Sequence, residues 1–340
     1  ENTHLGGSLA EESGTIDGIT PDAWLADTLN SLSDCENVNI MSRTSVYGFF
    51  DNNILGAIER VADHKAVPEN NEPRQRHLKI FAKKVIIATG SIERPIVFDG
   101  NDTPGIMLAN AALRYANRYG VAVGENVAIF TNNDDAYTTA NMLKNLGVNI
   151  TYLIDARSQI DPLLMKNNSI KYINAHVVTS AHGGKSLSSI KIAKYNANLK
   201  SIGVEKKIRV DSLLVSGGYT PTINLCSQTG TPAIFNDELQ AFIPVKKGRD
   251  WEARGAVVGA FTLEEILTTS KVKNTGKKAI PLAVTDIPSP NKSAKKFIDF
   301  QHDVSVTDIK IAHAEGFRSV EHLKRYTTLG MAADQGKTSN

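Results

Sequence analysis

The chain has 340 residues, 41% of them hydrophobic and 22% charged, the balance of an ordinary globular protein and enough length to bury a sizeable core without staples. Thirty-eight Lys and Arg against 36 Asp and Glu leave a formal charge of +2, so nothing in the balance draws the chain to nucleic acid or to an anionic membrane surface. No apolar run approaches the roughly 18 residues that span a bilayer, and two cysteines, Cys35 and Cys226, make neither a disulfide framework nor a four-thiolate metal site. The opening Glu1-Asn2-Thr3-His4 has no initiator Met and no targeting segment, and Gly336-Lys337-Thr338-Ser339-Asn340 carries no punctuation of a domain end; a piece of a longer polypeptide is expected.

In chain order, Leu5-Gly6-Gly7-Ser8-Leu9 reads as a turn. A helix follows with Thr20 as N-cap, Pro21 at its first position and Trp24, Leu25, Thr28 and Leu29 on its inner face. Strand patterns occupy 39–41, 45–50 and 54–61, and a polar loop with Pro68 and Pro73 covers 62–76. Strand character resumes at 78–81 and 84–88, the second run ending in Ala88-Thr89-Gly90. Residues 106–119 have helical apolar spacing with Gly120 as stop. Strand 126–131, helix 134–146 and strand 149–154 make a β-α-β unit, the element of a parallel doubly wound sheet. Residues 170–210 read as antiparallel strands and turns. Residues 213–215 and 255–258 read as short buried strands, the second followed by a helix from Thr262. A linker spans 273–296, and helices 306–314 and 320–328 close the chain.

The β-α-β unit is where a phosphate-binding loop belongs. A dinucleotide fingerprint places glycines at the helix start so that backbone N–H groups approach a pyrophosphate; here those positions hold Thr131, Asn133 and Ala136, and Asp134 and Asp135 stand where an anion would be received. Asp155 ends the next strand in the ribose-binding place but lacks its loop. This domain is expected to keep the fold without ordinary nucleotide binding, with Asp134 acting as a helix N-cap. Glu1 with Gly6-Gly7-Ser8 is a different half-motif, an acid suited to ribose hydroxyls followed by a turn that lets backbone pass close to a cofactor. Ala88-Thr89-Gly90, with Glu93-Arg94-Pro95 and Pro104-Gly105 after it, adds to that pattern. His302, His313 and His322 lack ligand spacing, Lys206-Lys207 and Lys295-Lys296 read as solvated, and Cys226 has no CxxC partner and reads as a buried small residue.

These segments carry a family resemblance. Val85-Ile86-Ile87-Ala88-Thr89-Gly90, Glu93-Arg94-Pro95, Gly100-Asn101-Asp102, Pro104-Gly105-Ile106-Met107, Thr131-Asn132-Asn133-Asp134 and the closing stretches Glu315 to Ser319 and Lys324 to Asn340 resemble the alpha subunit of heterotetrameric sarcosine oxidase. The resemblance implies an internal fragment lacking the N-terminal glycine loop and a C-terminal aminomethyltransferase-like domain. It implies an α/β fold of two nested dinucleotide-binding domains, like the pyridine-nucleotide disulfide reductases, followed by a small helical module. Residues 1–97 plus 212–272 would form the truncated first domain, 98–211 the inserted second one, 273–296 a linker and 297–340 the module.

On the same resemblance NAD sits in the first domain. Glu1 and Asn2 would reach the ribose, Gly7 and Ser8 the pyrophosphate side and Val46 the adenine through its backbone. Ala88, Thr89 and Gly90 would pass beneath the dinucleotide, and Ala256, Phe261 and Leu263 would close the nicotinamide end, Phe261 and Leu263 through their backbone, since their side chains depart from the family's residues. The implied enzyme oxidatively demethylates sarcosine to glycine, with formaldehyde or 5,10-methylenetetrahydrofolate and hydrogen peroxide as products. FAD and FMN belong to the beta subunit, tetrahydrofolate to the missing C-terminal domain, and gamma and delta subunits complete a cytoplasmic complex. No catalytic residue falls in this chain. The terminal module resembles a [2Fe-2S] module whose ligand places hold Asp299, Gln301, Asp334 and Ser339, so neither an iron–sulfur cluster nor another metal is expected. Lys337 and Thr338 are expected at a flavin-side interface. The alternatives are the equivalent subunit of an amine, opine or proline dehydrogenase, or a free-standing NAD(P)H-dependent flavin oxidoreductase, which would need two intact glycine loops.

Overall fold

The computed structural model describes residues 3–12, 14–69, 71–165, 167–244, 248–268 and 286–337. The chain divides into two compact units: Glu1–Ser91, Pro221–Asp237 and Ala241–Gly276 form the first, and Ile92–Thr220, Glu238–Gln240 and Lys277–Asn340 the second.

In the first unit, helix Pro21–Ser33 begins as its sequence dictates. The Thr20 hydroxyl accepts the N–H of Ala23 and Pro21 sets the first turn, while Trp24, Leu25, Thr28 and Leu29 are the half-buried face. Residues 39–41, expected as a strand, are irregular. Strands Thr44–Phe50, Ile54–Arg60 and Gln75–Phe81 form an antiparallel meander, with a register shift between Val46 and Gly48. Strand Val85–Ile87 pairs in parallel with Trp251–Ala253. The expected strand at 255–258 is instead a single 3₁₀ turn bounded by Gly255 (φ 76°) and Gly259 (φ 87°), left-handed positions that an extended strand cannot contain. Phe49, Val85, Ile87, Cys226, Trp251, Ala253 and Val257 share one buried cluster.

The second unit is built on a five-stranded sheet in the order Ile106–Leu108, Ser212–Ser216, Val127–Thr131, Ile150–Asp155, Lys171–Asn174, every neighbouring pair parallel. Strand alternation divides its core in two. Val127, Ile129, Leu153 and Leu214 pack with Ala112, Leu113, Ala140 and Leu143 of helices Ala109–Tyr119 and Asp135–Asn145. Ala128, Phe130, Ile154, Leu213 and Val215 pack with Val177, Val178, Ile190, Ile192 and Ile208 of an antiparallel layer. Three expectations are corrected here. Residues 106–108 form an edge strand before the helix. Residues 171–174 belong to the parallel sheet rather than the antiparallel layer. Ser212–Ser216, expected in the first domain, lies between two strands of this sheet, so the chain returns to the first unit at Pro221.

The closing helices Val306–Ala314 and Val320–Thr327 group with the second unit. The first of them starts with a reciprocal cap, Ser305 and Asp308 each bonding the other's backbone. Asn101 ties this segment down through both its amide atoms, its Nδ2 donating to the Phe297 carbonyl and its Oδ1 accepting the Phe297 N–H. Lys296 is not solvated as expected: its ammonium group meets Asp286 at 2.7 Å. Among the described residues, no helix is long and apolar enough to cross a membrane.

Candidate functional site

The residues expected at a dinucleotide meet different conditions in the two units. In the first, strand Val85–Ile87 runs out into Ala88, Thr89 and Gly90, where Ala88 and Thr89 are exposed. The turn is nonetheless held. The Thr89 hydroxyl donates to the Thr222 carbonyl at 2.7 Å, and the Thr222 N–H donates to the Gly90 carbonyl at 2.9 Å. Gly90 has φ 74°, and a Cβ built on it meets nothing within 4 Å. The result is a fixed main chain with free space beside it, as close approach of a ligand to backbone requires.

Gly7 (φ 59°) also faces open space, and exposed Ser8 heads a 3₁₀ turn whose Glu11 N–H returns to the Ser8 carbonyl at 2.8 Å. Val46 lies on the meander at its register shift, where local pairing is disrupted. Ala256 is half-buried in the turn between Gly255 and Gly259. Phe261 and Leu263 flank a capped helix start, where Glu265 accepts the N–H groups of Phe261 at 2.9 Å and Thr262 at 3.1 Å and its own N–H reaches the Thr262 hydroxyl. Glu1 and Asn2 lie outside the described residues, as do Thr338 and Ser339. What this unit offers chemically is backbone and hydroxyl groups along a strand end, suited to binding rather than to bond-making. Among the described residues of the whole chain, no three His, Cys, Asp or Glu side chains gather as a metal site.

The second unit's corresponding strand ends are filled. Asp155 is buried and forms a bidentate pair with Arg157, Nη2 to Oδ2 at 2.8 Å and Nε to Oδ1 at 3.1 Å. It also accepts the Arg157 N–H at 2.8 Å and the Tyr137 hydroxyl at 3.1 Å. Arg157 Nη1 extends to Asp134 at 2.7 Å. Asp134 holds the expected N-cap position but makes no side-chain cap bond, its carboxylate being turned to Arg157; Asn133 Oδ1 accepts the Asp135 N–H at 3.1 Å instead. Burial works against the Arg157 charge, but its hydrogen bonds with Asp155 and the attraction of Asp155 and Asp134 outweigh it and hold the guanidinium protonated.

Beside this network lies a second. Glu93 is buried and accepts the Asn110 N–H at 2.9 Å; Asn110 Nδ2 donates to the Tyr219 hydroxyl at 2.6 Å, and that hydroxyl donates to Asp135. Burial pushes Glu93 up to about 8, with the Asn110 N–H and the Ser216 hydroxyl restraining the rise and the Asp135 charge adding to it. Arg157, Tyr137 and Tyr219 belong to no motif in the sequence, and Glu93, expected with the first domain's pattern, lies instead in the second unit. An Arg two positions after a strand-end acid was the one local signal available.

In the terminal module Asp299 is buried. Its Oδ1 accepts the N–H groups of Gln301 at 2.9 Å and His302 at 3.2 Å, and its Oδ2 accepts that of Gly330 at 2.9 Å. Burial acts to raise this carboxyl, and the three backbone donors outweigh it and hold it below the ordinary range. Gln301 is exposed, and Asp334 Oδ1 accepts the Gly336 N–H at 3.3 Å. Lys337 is exposed after Gly336 (φ 76°), and His313 and His322 are exposed as well.

Comparison with known proteins adds the ancestry. The sarcosine oxidase alpha subunit of Rhizobium meliloti (strain 1021) is 36% identical over 359 residues, a match covering 100% of this chain and 36% of that protein. The sarcosine oxidase alpha subunit of Corynebacterium sp. (strain P-1) is 32% identical over 369 residues, covering 100% of this chain and 38% of that protein. An opine oxidase subunit of Agrobacterium tumefaciens (strain Ach5) is 24% identical over 88% of this chain and 59% of its own length. Among solved structures, an L-proline dehydrogenase from P. horikoshii superposes with a TM-score of 0.65 at 20% identity, over 99% of this chain and 65% of that one. A thioredoxin reductase from T. acidophilum superposes at 0.54 and 15% identity, over 78% of this chain and 84% of that one. These structures share the expected nested dinucleotide-binding fold. The chain spans little more than a third of the length of the sarcosine oxidase subunits it matches. The family described as Sarcosine oxidase A3 domain matches residues 293–340, and over its whole length the chain is a homologue of the alpha subunit of sarcosine oxidase.

Proposed function

We propose that this chain is the dinucleotide-binding part of an alpha subunit of a heterotetrameric sarcosine oxidase. The observation that carries the reading is the unbroken match to named alpha subunits along the entire chain. The protein would assemble with beta, gamma and delta subunits in the cytoplasm and demethylate sarcosine to glycine, with hydrogen peroxide and either formaldehyde or 5,10-methylenetetrahydrofolate as the other products. The flavins FAD and FMN would be carried by the beta subunit, and tetrahydrofolate by a segment of the alpha subunit beyond this chain.

NAD is the cofactor assigned to the first unit, and the exposed strand end there fits one. Gly90 leaves space for a ligand against its main chain, and Thr89 is oriented by its bond to Thr222. Ala88, Thr89 and Gly90 would lie beneath the dinucleotide and Gly7 and Ser8 beside its pyrophosphate, with Glu1 and Asn2 at the ribose. Val46 would offer backbone to the adenine, and Ala256, Phe261 and Leu263 would bound the nicotinamide end. When bound, NAD supplies either a hydride-transfer group or a structural filling. This chain's contribution is to hold and orient it, and no residue here is assigned to bond-making. The exposed Lys337, with Thr338, is assigned to the flavin-side subunit contact, where an ammonium group and a hydroxyl suit a phosphate. The match to an opine oxidase over 88% of the chain favours a second reading, the equivalent subunit of an enzyme acting on another secondary amine.

The test uses the full-length polypeptide purified with its partner chains. Dinucleotide released on denaturation is quantified, and hydrogen peroxide production is measured with sarcosine, with an opine and with proline. One NAD per alpha chain and peroxide from sarcosine are expected. An absence of dinucleotide overturns the NAD assignment, and turnover of an opine or proline alone replaces the substrate assignment.

A further inference from the structure

Open α/β sheets receive ligands beyond the carboxyl ends of their strands, where the strand order reverses. In the second unit the order reverses between Val127–Thr131 and Ser212–Ser216, and the end of Ile150–Asp155 lies beside it on the other flank of Val127–Thr131. We propose that this crevice has exchanged anion recognition for cation recognition, with the guanidinium of Arg157 as its permanent occupant, so that it takes no dinucleotide.

Three observations carry this. The first is the saturation of Asp155. It ends its strand opposite Thr131, the position from which an acid would accept the two hydroxyls of a ribose. A carboxylate has about four lone-pair directions. Asp155 already accepts from Arg157 N, Nε and Nη2 and from the Tyr137 hydroxyl. The second is the use of the amides that would face a pyrophosphate. The Asn133 N–H donates to the Thr131 hydroxyl at 3.1 Å and the Asp135 N–H to the Asn133 side chain at 3.1 Å. The Asn133 amide in turn bonds the Ser216 carbonyl at 3.0 Å, bridging the strand ends. The third is sign. Asp134 and Asp155 grip one guanidinium between them, and Asp135 stands at the start of the same helix. An arriving phosphate would meet carboxylates where the phosphate-binding pattern has glycine amides. A planar, fork-shaped cation matches what is there.

The experiment uses the full-length polypeptide with its partner chains. Arg157→Ala is followed by thermal unfolding, with and without millimolar methylguanidinium and with sodium chloride at equal ionic strength. A midpoint lowered by more than about 5 °C, and recovered in part by methylguanidinium alone, is expected. An unchanged midpoint, or a lowered one that methylguanidinium does not move, overturns the proposal. Because the variant could fail to fold, the unaltered complex is also illuminated with 8-azido-NAD and the labelled peptides are mapped. Labelling confined to the first unit, or absent from both units, supports the proposal, and absence from both separately counts against the NAD assignment above. Labelling between residues 126 and 157 overturns the proposal and leaves that assignment standing.

Discussion

The two units present the same kind of strand end in opposite conditions. In the first, Val85–Ile87 leads into exposed Ala88 and Thr89 and into Gly90, beside which a methyl group would touch nothing. In the second, Val127–Thr131 leads into buried Asn132 and Asn133. Gly217, just past the adjacent strand, has so little room that a Cβ would come within 2.7 Å of the Arg94 carbonyl oxygen and 2.9 Å of that of Pro95. The fold therefore does not decide whether a ligand place exists. Side chains at the strand ends do, by leaving open space beside the backbone in one case and by committing the Asp155 carboxylate and the Asn133 and Asp135 amides to internal bonds in the other.

The largest expected effect tests how firmly the second strand end is filled. Asp155→Ala leaves the Arg157 guanidinium, whose side chain is 7% exposed, without its bidentate partner. Asp134 remains at its other end but is itself 39% exposed. Breaking one half of a buried pair costs about 3–5 kcal/mol, so the denaturant midpoint of the variant should fall sharply. Asp155→Asn, which keeps the shape and one acceptor oxygen, should lose less. A change within experimental error for Asp155→Ala would mean the network is idle and the contrast between the units overstated.

The neighbouring acid gives a pH-dependent expectation. Glu93 rises from an ordinary 4.5 to about 8 through burial, facing Asp135, whose carboxyl burial also raises, and the Tyr219 hydroxyl, likewise raised. The folded state thus keeps a proton that the unfolded chain has released between these two values. Stability falls as pH rises through that window and levels off above about pH 8. Glu93→Gln carries no titrating proton, so the difference between its unfolding midpoint and that of the parent, measured from pH 5 to 9, should favour the parent least at the alkaline end. A difference that does not vary with pH would show Glu93 ionised in the fold. Asp299, held below its ordinary range by backbone donors, acts in the opposite sense and at more acid pH, losing its contribution as pH falls.

Much of this architecture was legible from residue patterns. Thr20-Pro21 fixes a helix start through a side-chain cap and a preset φ, and the β-α-β run from 126 to 154 combines strand and helix periods in the order a parallel sheet requires. The missing glycines at Thr131, Asn133 and Ala136 also announced that the second loop was altered. What replaced the ligand was not legible, because Arg157, Tyr137 and Asp134 meet only when helix and strand are packed side by side. The same holds for Gly255 to Val258: its apolar content suits a strand, but left-handed Gly255 and Gly259 fold it into a turn, and Trp251–Ala253 takes the strand position. Ser212–Ser216 has the composition of any buried strand, and only its pairing with Ile106–Leu108 and Val127–Thr131 reveals which unit owns it.

The smallest expected effect on stability bears most directly on the open strand end. Gly90 has φ 74°, so Gly90→Ala places an L-residue in the left-handed region at a cost of about 1 kcal/mol. No steric term adds to this, since the new methyl group meets no atom within 4 Å. The main-chain bond between Gly90 and Thr222 and the Thr89 hydroxyl bond can both persist, so the turn keeps its form. Any larger loss must then come from something that occupies the free space. If a dinucleotide lies against this turn, the methyl group holds it off the backbone, and affinity should fall by at least about tenfold, equivalent to about 1.4 kcal/mol. Thermal unfolding and NAD binding, measured side by side on the full-length complex, separate the two. A modest stability loss with a disproportionate affinity loss places the ligand over Gly90. A modest stability loss with unchanged affinity moves it elsewhere and leaves the first unit's open strand end without the role assigned to it.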